Sequence, residues 1–234
     1  MSGNAPIEVW QAPVDVPARE LPALRRTLAP EERRRAASGT PRAVRWAAGR
    51  SALRVILAGY LGSDPAEIAF EHGRHGKPSV AGGPEFSFSA SGRLALVAVS
   101  PAGPVGVDVE RIRPRLPAER IARSRFAAAE CAALSARGPR ARQAAFHRCW
   151  AAKEAYAKGL GCGLALGFDR YSVAGLLGRE AAGRCAVEHP GRPGEPWEVE
   201  RLPAVTGYAA AIAAAGPAWR AELRPCIAPE ARDG

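Results

Sequence analysis

The sequence predicts an α+β protein built as two halves of comparable size, each running from helices into strands. Three observations carry this. A long stretch of helix formers, Ala43 to Leu61, precedes a block rich in strand and turn residues, Phe70 to Ser100. A second helical stretch, Arg140 to Lys158, precedes a final third in which Val, Tyr and Trp alternate with Gly and Pro turns. Between them lies the turn Ser100-Pro101-Ala102-Gly103-Pro104, so the halves are expected at 1–104 and 105–234. No internal repeat is legible in the letters, and any likeness between the halves would be structural only.

Each element has a local cause. Pro30 to Arg35 (PEERRR) is a charged stretch leading into the first strong helix. Thr40 supplies an N-cap oxygen, Pro41 fits the first helical position and Gly62 offers a stop. Asp64-Pro65, His75-Gly76-Lys77-Pro78 and Ala81-Gly82-Gly83-Pro84 read as turns. Leu94 to Val99 is a compact apolar run suited to a buried strand, and Val105 to Glu110 a second strand. The two together are expected to form a hairpin with a long loop. Pro117 opens one short helix, Phe126 to Ala136 forms another, and Gly138-Pro139 punctuates before the long one, which Gly159 and Gly161 stop. Asp169 to Ile212 suggests several antiparallel strands, and the tail after about residue 225 is expected to fray.

Composition narrows the class. The chain has 234 residues, 47% apolar and 24% charged, enough for a substantial core in a soluble protein. No apolar run approaches the roughly 20 residues that cross a bilayer, and the start lacks the pattern of a signal peptide. A cytoplasmic protein without membrane association is expected. The five cysteines are odd in number and show no CxxC spacing, so free thiols are a better reading than a disulfide framework or zinc site. The histidines are equally scattered. The net charge of +10 is almost wholly arginine and would attract nucleic acid, phosphorylated cofactors or acidic proteins without choosing among them.

Three short motifs carry chemistry. In Val105-Gly106-Val107-Asp108-Val109-Glu110 strand alternation sends the valines to one face and Gly106, Asp108 and Glu110 to the other. Two carboxylates roughly 7 Å apart along a strand can converge on one hard cation, and Gly106 is expected to leave room for a ligand. The same pattern also describes a solvent-exposed strand edge. In Trp150 to Lys158 (WAAKEAYAK), Glu154 and Lys158 share a helix face, as a surface ion pair or as a carboxylate beside a phosphate-binding cation. Gly76-Lys77-Pro78 holds one lysine in a defined direction, as an ordinary turn or a phosphate contact.

Their order decides between these readings. Gly76-Lys77-Pro78, then FSFSASG at Phe86 to Gly92, GVDVE, and FHRCWAAKEAYAK at Phe146 to Lys158 resembles the motif set of the surfactin-type 4'-phosphopantetheinyl transferases. The flanks PEERRR, Ala43-Val44-Arg45-Trp46 and Gly161-Cys162-Gly163-Leu164 agree, and the resemblance spans about Pro30 to Val173.

The resemblance implies a pseudo-dimer of two similar α/β halves with coenzyme A in the cleft between them. It implies that Asp108, Glu110 and Glu154 hold Mg²⁺ with the coenzyme A pyrophosphate. Glu154 would deprotonate the acceptor serine, and Lys158 would stabilise charge on the transferring phosphate. Arg45, Lys77, Pro78 and Ser89 would belong to the coenzyme A site. The implied reaction moves 4'-phosphopantetheine onto a serine of an apo acyl or peptidyl carrier protein and releases 3',5'-ADP. The motif set leans towards polyketide or nonribosomal peptide synthases as clients, and towards a monomer. Three features depart from the family pattern: Ala90 stands where a phosphate-contacting histidine is usual, with Arg93 nearby; Cys162 stands where a lysine is frequent; and the early basic residues are the arginines Arg33, Arg34 and Arg35. The rivals are another Mg²⁺-dependent enzyme cleaving a pyrophosphate and a basic nucleic-acid-binding protein. The latter lacks any aromatic-basic motif of an RNA- or DNA-binding fold. His147 and Trp150 are expected to pack rather than catalyse.

Overall fold

The computed structural model describes residues 5–178, 183–188, 194, 196–203, 205–216 and 219–225, the side chain of Leu164 aside. In chain order the elements are β1 (Ile7–Pro13), α1 (Leu21–Arg26), α2 (Pro30–Arg35), α3 (Pro41–Leu61), β2 (Glu71–His72), β3 (Pro78–Ser79), β4 (Glu85–Ser91), β5 (Leu94–Ser100) and β6 (Val105–Arg111). There follow α4 (Ala118–Arg125), α5 (Ala128–Ser135), α6 (Pro139–Gly159), β7 (Arg184–Val187), β8 (Trp197–Leu202), β9 (Tyr208–Ala215) and β10 (Ala221–Pro225). The tail after 225, with Cys226, and also His189 lie outside the described residues.

The α+β reading is correct, and its halves repeat. The first four-stranded sheet has the order β10-β1-β5-β4 and the second β6-β9-β8-β7. In each, the opening strand (β1 or β6) pairs antiparallel with the closing strand (β5 or β9), which pairs antiparallel with the one before it. A helix of 21 residues intervenes in both halves, α3 in one and α6 in the other. Thr40 caps α3 by accepting the Ala43 amide at 3.3 Å, and Gly62 ends it in the left-handed region at φ 62°.

The layers run α3, first sheet, second sheet, α6. Ile7, Val9, Leu94, Leu96 and Ala98 of the first sheet share one core with Val105, Val107, Val109 and Ile212 of the second. The opposite face of β5, through Val97 and Val99, packs on Leu53 and Leu57 of α3. Every residue of β5 is consequently buried, which is why it reads as a continuous apolar run. On the far side, Ala151, Ala155 and Tyr156 of α6 cover Val199, Ala209 and Ala211.

One clamp occurs twice. Glu32, in the first turn of α2, accepts the Ala29 amide and pairs with Arg54 of α3 at 2.5 Å; Arg54 also donates to the carbonyls of Pro65 and Ile68. Glu130, in the first turn of α5, accepts the Ala127 amide and pairs with Lys153 of α6 at 2.8 Å; Lys153 also donates to the carbonyls of Phe168 and Tyr171. In both cases a buried cation on the long helix ties the preceding short helix to the segment that follows. For Lys153 the three bonds account for every ammonium proton, which offsets the desolvation of such a pair.

Two expectations fail. The strands β5 and β6 do not form a hairpin: β5 pairs with β1 and β4, whereas β6 pairs with β9, so the turn between them crosses from one sheet to the other. The edge strand β10 runs parallel to β1, a pairing across nearly the whole chain that no local pattern encodes. Gly106 also serves another purpose than ligand space. A Cβ there would lie 1.9 Å from the Ala155 carbonyl oxygen and 2.3 Å from the Gly159 nitrogen, so the glycine admits α6 onto the sheet.

His147 and Trp150 pack as expected. His147 is buried, accepts the Arg113 amide through Nε2 at 3.2 Å and donates from Nδ1 to the Gln143 carbonyl at 2.8 Å. Trp150 sits among Phe126, Phe146 and Phe168. Cys131, Cys149 and Cys162 carry free thiols.

Candidate active site where the two sheets meet

Strand alternation directs Asp108 and Glu110 away from the valine face of β6 and onto the α6 side, where Glu154 and Lys158 stand one turn apart. Lys158 Nζ donates to Asp108 Oδ1 at 2.6 Å. Ser89 of β4 donates to the same oxygen at 2.7 Å. Asp108 is only 3% exposed, and its Oδ2 is buried with no partner. Glu110 accepts from Ser91 Oγ at 3.1 Å.

The carboxylates perturb one another. Desolvation, then the charges of Asp108 and Glu110, push Glu154 up to about 7, with Lys158 opposing. Burial, then the Asp108 charge, raises Glu110. Burial also raises Asp108, against Lys158 and the Ser89 hydroxyl. Three crowded acids thus share one ammonium, an arrangement found at functional sites more than in ordinary ion pairs.

This donor set suits a hard cation. All three carboxylates offer oxygen only, and Asp108 keeps one buried oxygen without a protein partner. Among the described residues no three potential ligands already converge as a cage, and Lys158 and Ser89 occupy Asp108 Oδ1. Any cation would therefore draw the remaining donors from its substrate and from water, the usual habit of Mg²⁺.

Beside the carboxylates a cavity of about 250 Å³ is lined by Arg50, Lys77, Pro78, Ser87, Phe88 and Lys158, among others. Its walls come from α3, the β2–β3 turn, β4 and the end of α6, so both halves build it.

Comparison with known proteins agrees with this site. Residues 104–213 match the family profile described as the 4'-phosphopantetheinyl transferase superfamily. The 4'-phosphopantetheinyl transferase HetI of a Nostoc species is 36% identical over 166 residues, 68% of this chain and 70% of that protein. The 4'-phosphopantetheinyl transferase of Bacillus subtilis is 32% identical over 171 residues, covering 72% and 73%. The chain belongs to the 4'-phosphopantetheinyl transferase superfamily.

For this member of the superfamily, the matched segment holds β6 and α6, hence all three acids and Lys158. The structure brings Asp108, Glu110, Glu154, Lys158 and Ser89 into one electrostatic cluster. Lys77 and Pro78 join it across the cavity. Lys77 has its amine on the carbonyls of Val105 and Gly159, at 3.2 and 3.1 Å, and beside Glu85 at 3.4 Å. It therefore fastens the turn to β6 and α6. Arg45 is not a wall of this cavity; it faces Asp15 at 3.5 Å, the carboxylate that Arg93 also pairs with at 2.9 Å. Arg93 is thereby tied to a partner beside exposed Ala90.

Sequence reasoning did not find Arg50, Phe88, Ser91 or Asp15. Ser91 had a legible signal: the alternation Ser87-Phe88-Ser89-Ala90-Ser91 puts its hydroxyl on the face of Ser89. Arg50 had none, since its wall exists only once α3 lies against the Lys77 turn.

Proposed function

We propose that this chain transfers the 4'-phosphopantetheine of coenzyme A to the serine of an apo acyl or peptidyl carrier protein, releasing 3',5'-ADP. Family membership supports phosphopantetheinyl transfer. The observation that carries the finer reading is the cluster of Asp108, Glu110 and Glu154 around Lys158, with one Asp108 oxygen buried and unpartnered.

Asp108, Glu110 and Glu154 would hold Mg²⁺. When bound, the ion supplies charge neutralisation at the pyrophosphate. Glu154, ionising near neutrality, is suited to take the proton from the acceptor serine, which is a weak nucleophile unassisted. The serine oxygen then bonds to the β-phosphorus, and the bond to the 3',5'-ADP oxygen breaks. Lys158, partly exposed beside Asp108, is placed to meet the reacting phosphate, and Arg50, paired with Glu32 at 2.6 Å, lines the neighbouring wall. Lys77, Pro78, Ser89 and Arg45 contribute to the coenzyme A side as the resemblance implies, Lys77 and Ser89 chiefly by fixing the frame around it.

The carrier would dock on the α4 side. A groove of about 700 Å³ there is lined by Leu116, Pro117, Arg120, Arg123, Arg142 and Gln143, among others. Glu119 on the same wall pairs with Arg123 and, at 2.7 Å, with Arg142, so exposed Arg120 is the arginine placed to meet an acidic helix through steered encounter. Synthases of polyketides or nonribosomal peptides are the clients we favour, with the enzyme acting as a monomer.

The test is intact-mass analysis of apo carrier proteins incubated with the chain, coenzyme A and Mg²⁺. One phosphopantetheine should be gained, and Asp108→Ala and Glu154→Ala should abolish the gain. No gain on fatty-acid, polyketide and peptide carriers alike would overturn the reading.

A further inference from the structure

The edge strands of the two sheets, β4 and β6, lie side by side without pairing through their backbones. Serine side chains bridge them instead. Ser87, Ser89 and Ser91 accept the amides of Val107, Val109 and Arg111 at 3.0, 3.3 and 3.1 Å. The register advances two residues at a time on both strands, so the edges run parallel with hydroxyls standing in for carbonyls. The phenylalanines of the same alternation turn the other way, and Phe86 is buried against α3.

A hydroxyl has one proton and two acceptor sites. Once it accepts an amide, its proton is free for a second partner. Ser89 gives that proton to Asp108 at 2.7 Å, and Ser91 gives its proton to Glu110 at 3.1 Å. Each serine therefore grips a carboxylate together with the amide that follows it. Opposite Gly106 there is no carboxylate, and Ser87 makes the amide contact alone. The pattern fits the acid positions of β6 residue by residue.

We propose that Ser89 and Ser91 are positioning residues, which aim Asp108 and Glu110 from the opposite half while fastening the two sheets. This rests on the reading that these two acids hold a divalent cation. It assigns Ser89 a duty other than the phosphate contact implied by resemblance, and gives Ser91 a role. Metal affinity and the seam between the halves become one property, because the same hydroxyls serve both. Partners that orient ligands in this way typically change metal affinity by about 10- to 100-fold when removed.

The test compares Ser91→Val with Ser91→Thr, near-isosteric changes that differ in the hydroxyl. Mn²⁺ alone is titrated into the full chain and free ion is followed by electron paramagnetic resonance; exchange of the Arg111 amide is measured on the same samples. Ser91→Val should weaken Mn²⁺ binding by about tenfold and speed Arg111 exchange, and Ser91→Thr should restore both. Should Ser91→Val fail to fold, Ser91→Ala removes the hydroxyl without added volume and carries the same two readouts. Wild-type Mn²⁺ affinity in the hydroxyl-free variant would overturn the proposal. Asp108→Ala separates the two levels: if it binds Mn²⁺ as wild type does, the metal reading itself falls, and the proposal with it.

Discussion

Lys158 Nζ lies 2.6 Å from Asp108 Oδ1, joining the last turn of α6 to the middle of β6. Asp108 is almost fully buried, so this contact is its main compensation for leaving water. The ammonium stands where charge must be neutralised before any substrate arrives.

Replacing it should expose that dependence. Lys158→Met is expected to lower phosphopantetheine transfer at least 100-fold and to destabilise the metal-free protein by about 2–3 kcal/mol. Added Mg²⁺ should raise the melting temperature more in the variant than in wild type. Equal melting curves without metal would show that Asp108 does not rely on Lys158.

Glu154 predicts a pH effect of defined sign. Its pKa in the fold is raised from 4.5 to about 7, so its protonated form is favoured there. That contribution is complete below pH 4.5 and is lost as pH rises through 7. Glu154→Gln cannot titrate. In metal-free samples it should match wild type near pH 5 and exceed it at pH 8 by about 1–2 kcal/mol, discounted for partial exposure. Transfer should be lost in the same variant. A stability difference that does not change with pH would refute the assignment.

The duplicated clamp predicts a strong, non-additive cost. Lys153 and Glu130 are both fully buried. Lys153→Met leaves the buried Glu130 carboxylate with backbone amides but no counter-charge and should cost about 3–5 kcal/mol in urea unfolding. Adding Glu130→Gln should recover part of that loss, because the stranded charge is gone. A double variant as unstable as the sum of the two singles would argue against coupling.

Gly106 predicts a steric cost. An added methyl would meet the Ala155 carbonyl at 1.9 Å, and that neighbour is backbone that cannot swing aside, so either α6 or β6 must move. Gly106→Ala should destabilise by about 3 kcal/mol or more and misalign Glu154 relative to Asp108. Wild-type stability would mean that the helix has room to shift.

The α4 groove predicts a partner-specific effect. Arg120 is exposed on its wall, and Arg120→Glu should raise the KM for an acidic carrier several-fold at low salt while leaving the KM for coenzyme A unchanged. The difference should shrink at high salt. A uniform change in both KM values would place Arg120 elsewhere in the mechanism.

Local chemistry made much of the molecule legible in advance. Thr40-Pro41 and Gly62 bound α3 because a cap, a fixed φ and a left-handed stop act within a few residues. The alternation in Val105 to Glu110 assigned the acids to the face opposite the valines because the strand period allows no other arrangement. The spacing of Glu154 and Lys158 set them on one helix face for the same kind of reason. Partners far apart in the chain were decided only by tertiary structure. Leu94 to Val99 and Val105 to Glu110 look like a hairpin locally, yet burial of β5 on both faces sends them to different sheets. Lys77, a lysine in an exposed-looking turn, found two backbone carbonyls that exist together only after β6 and α6 meet. The serine seam needed both edges in place, since a hydroxyl acquires a direction only when amide and carboxylate stand on either side of it.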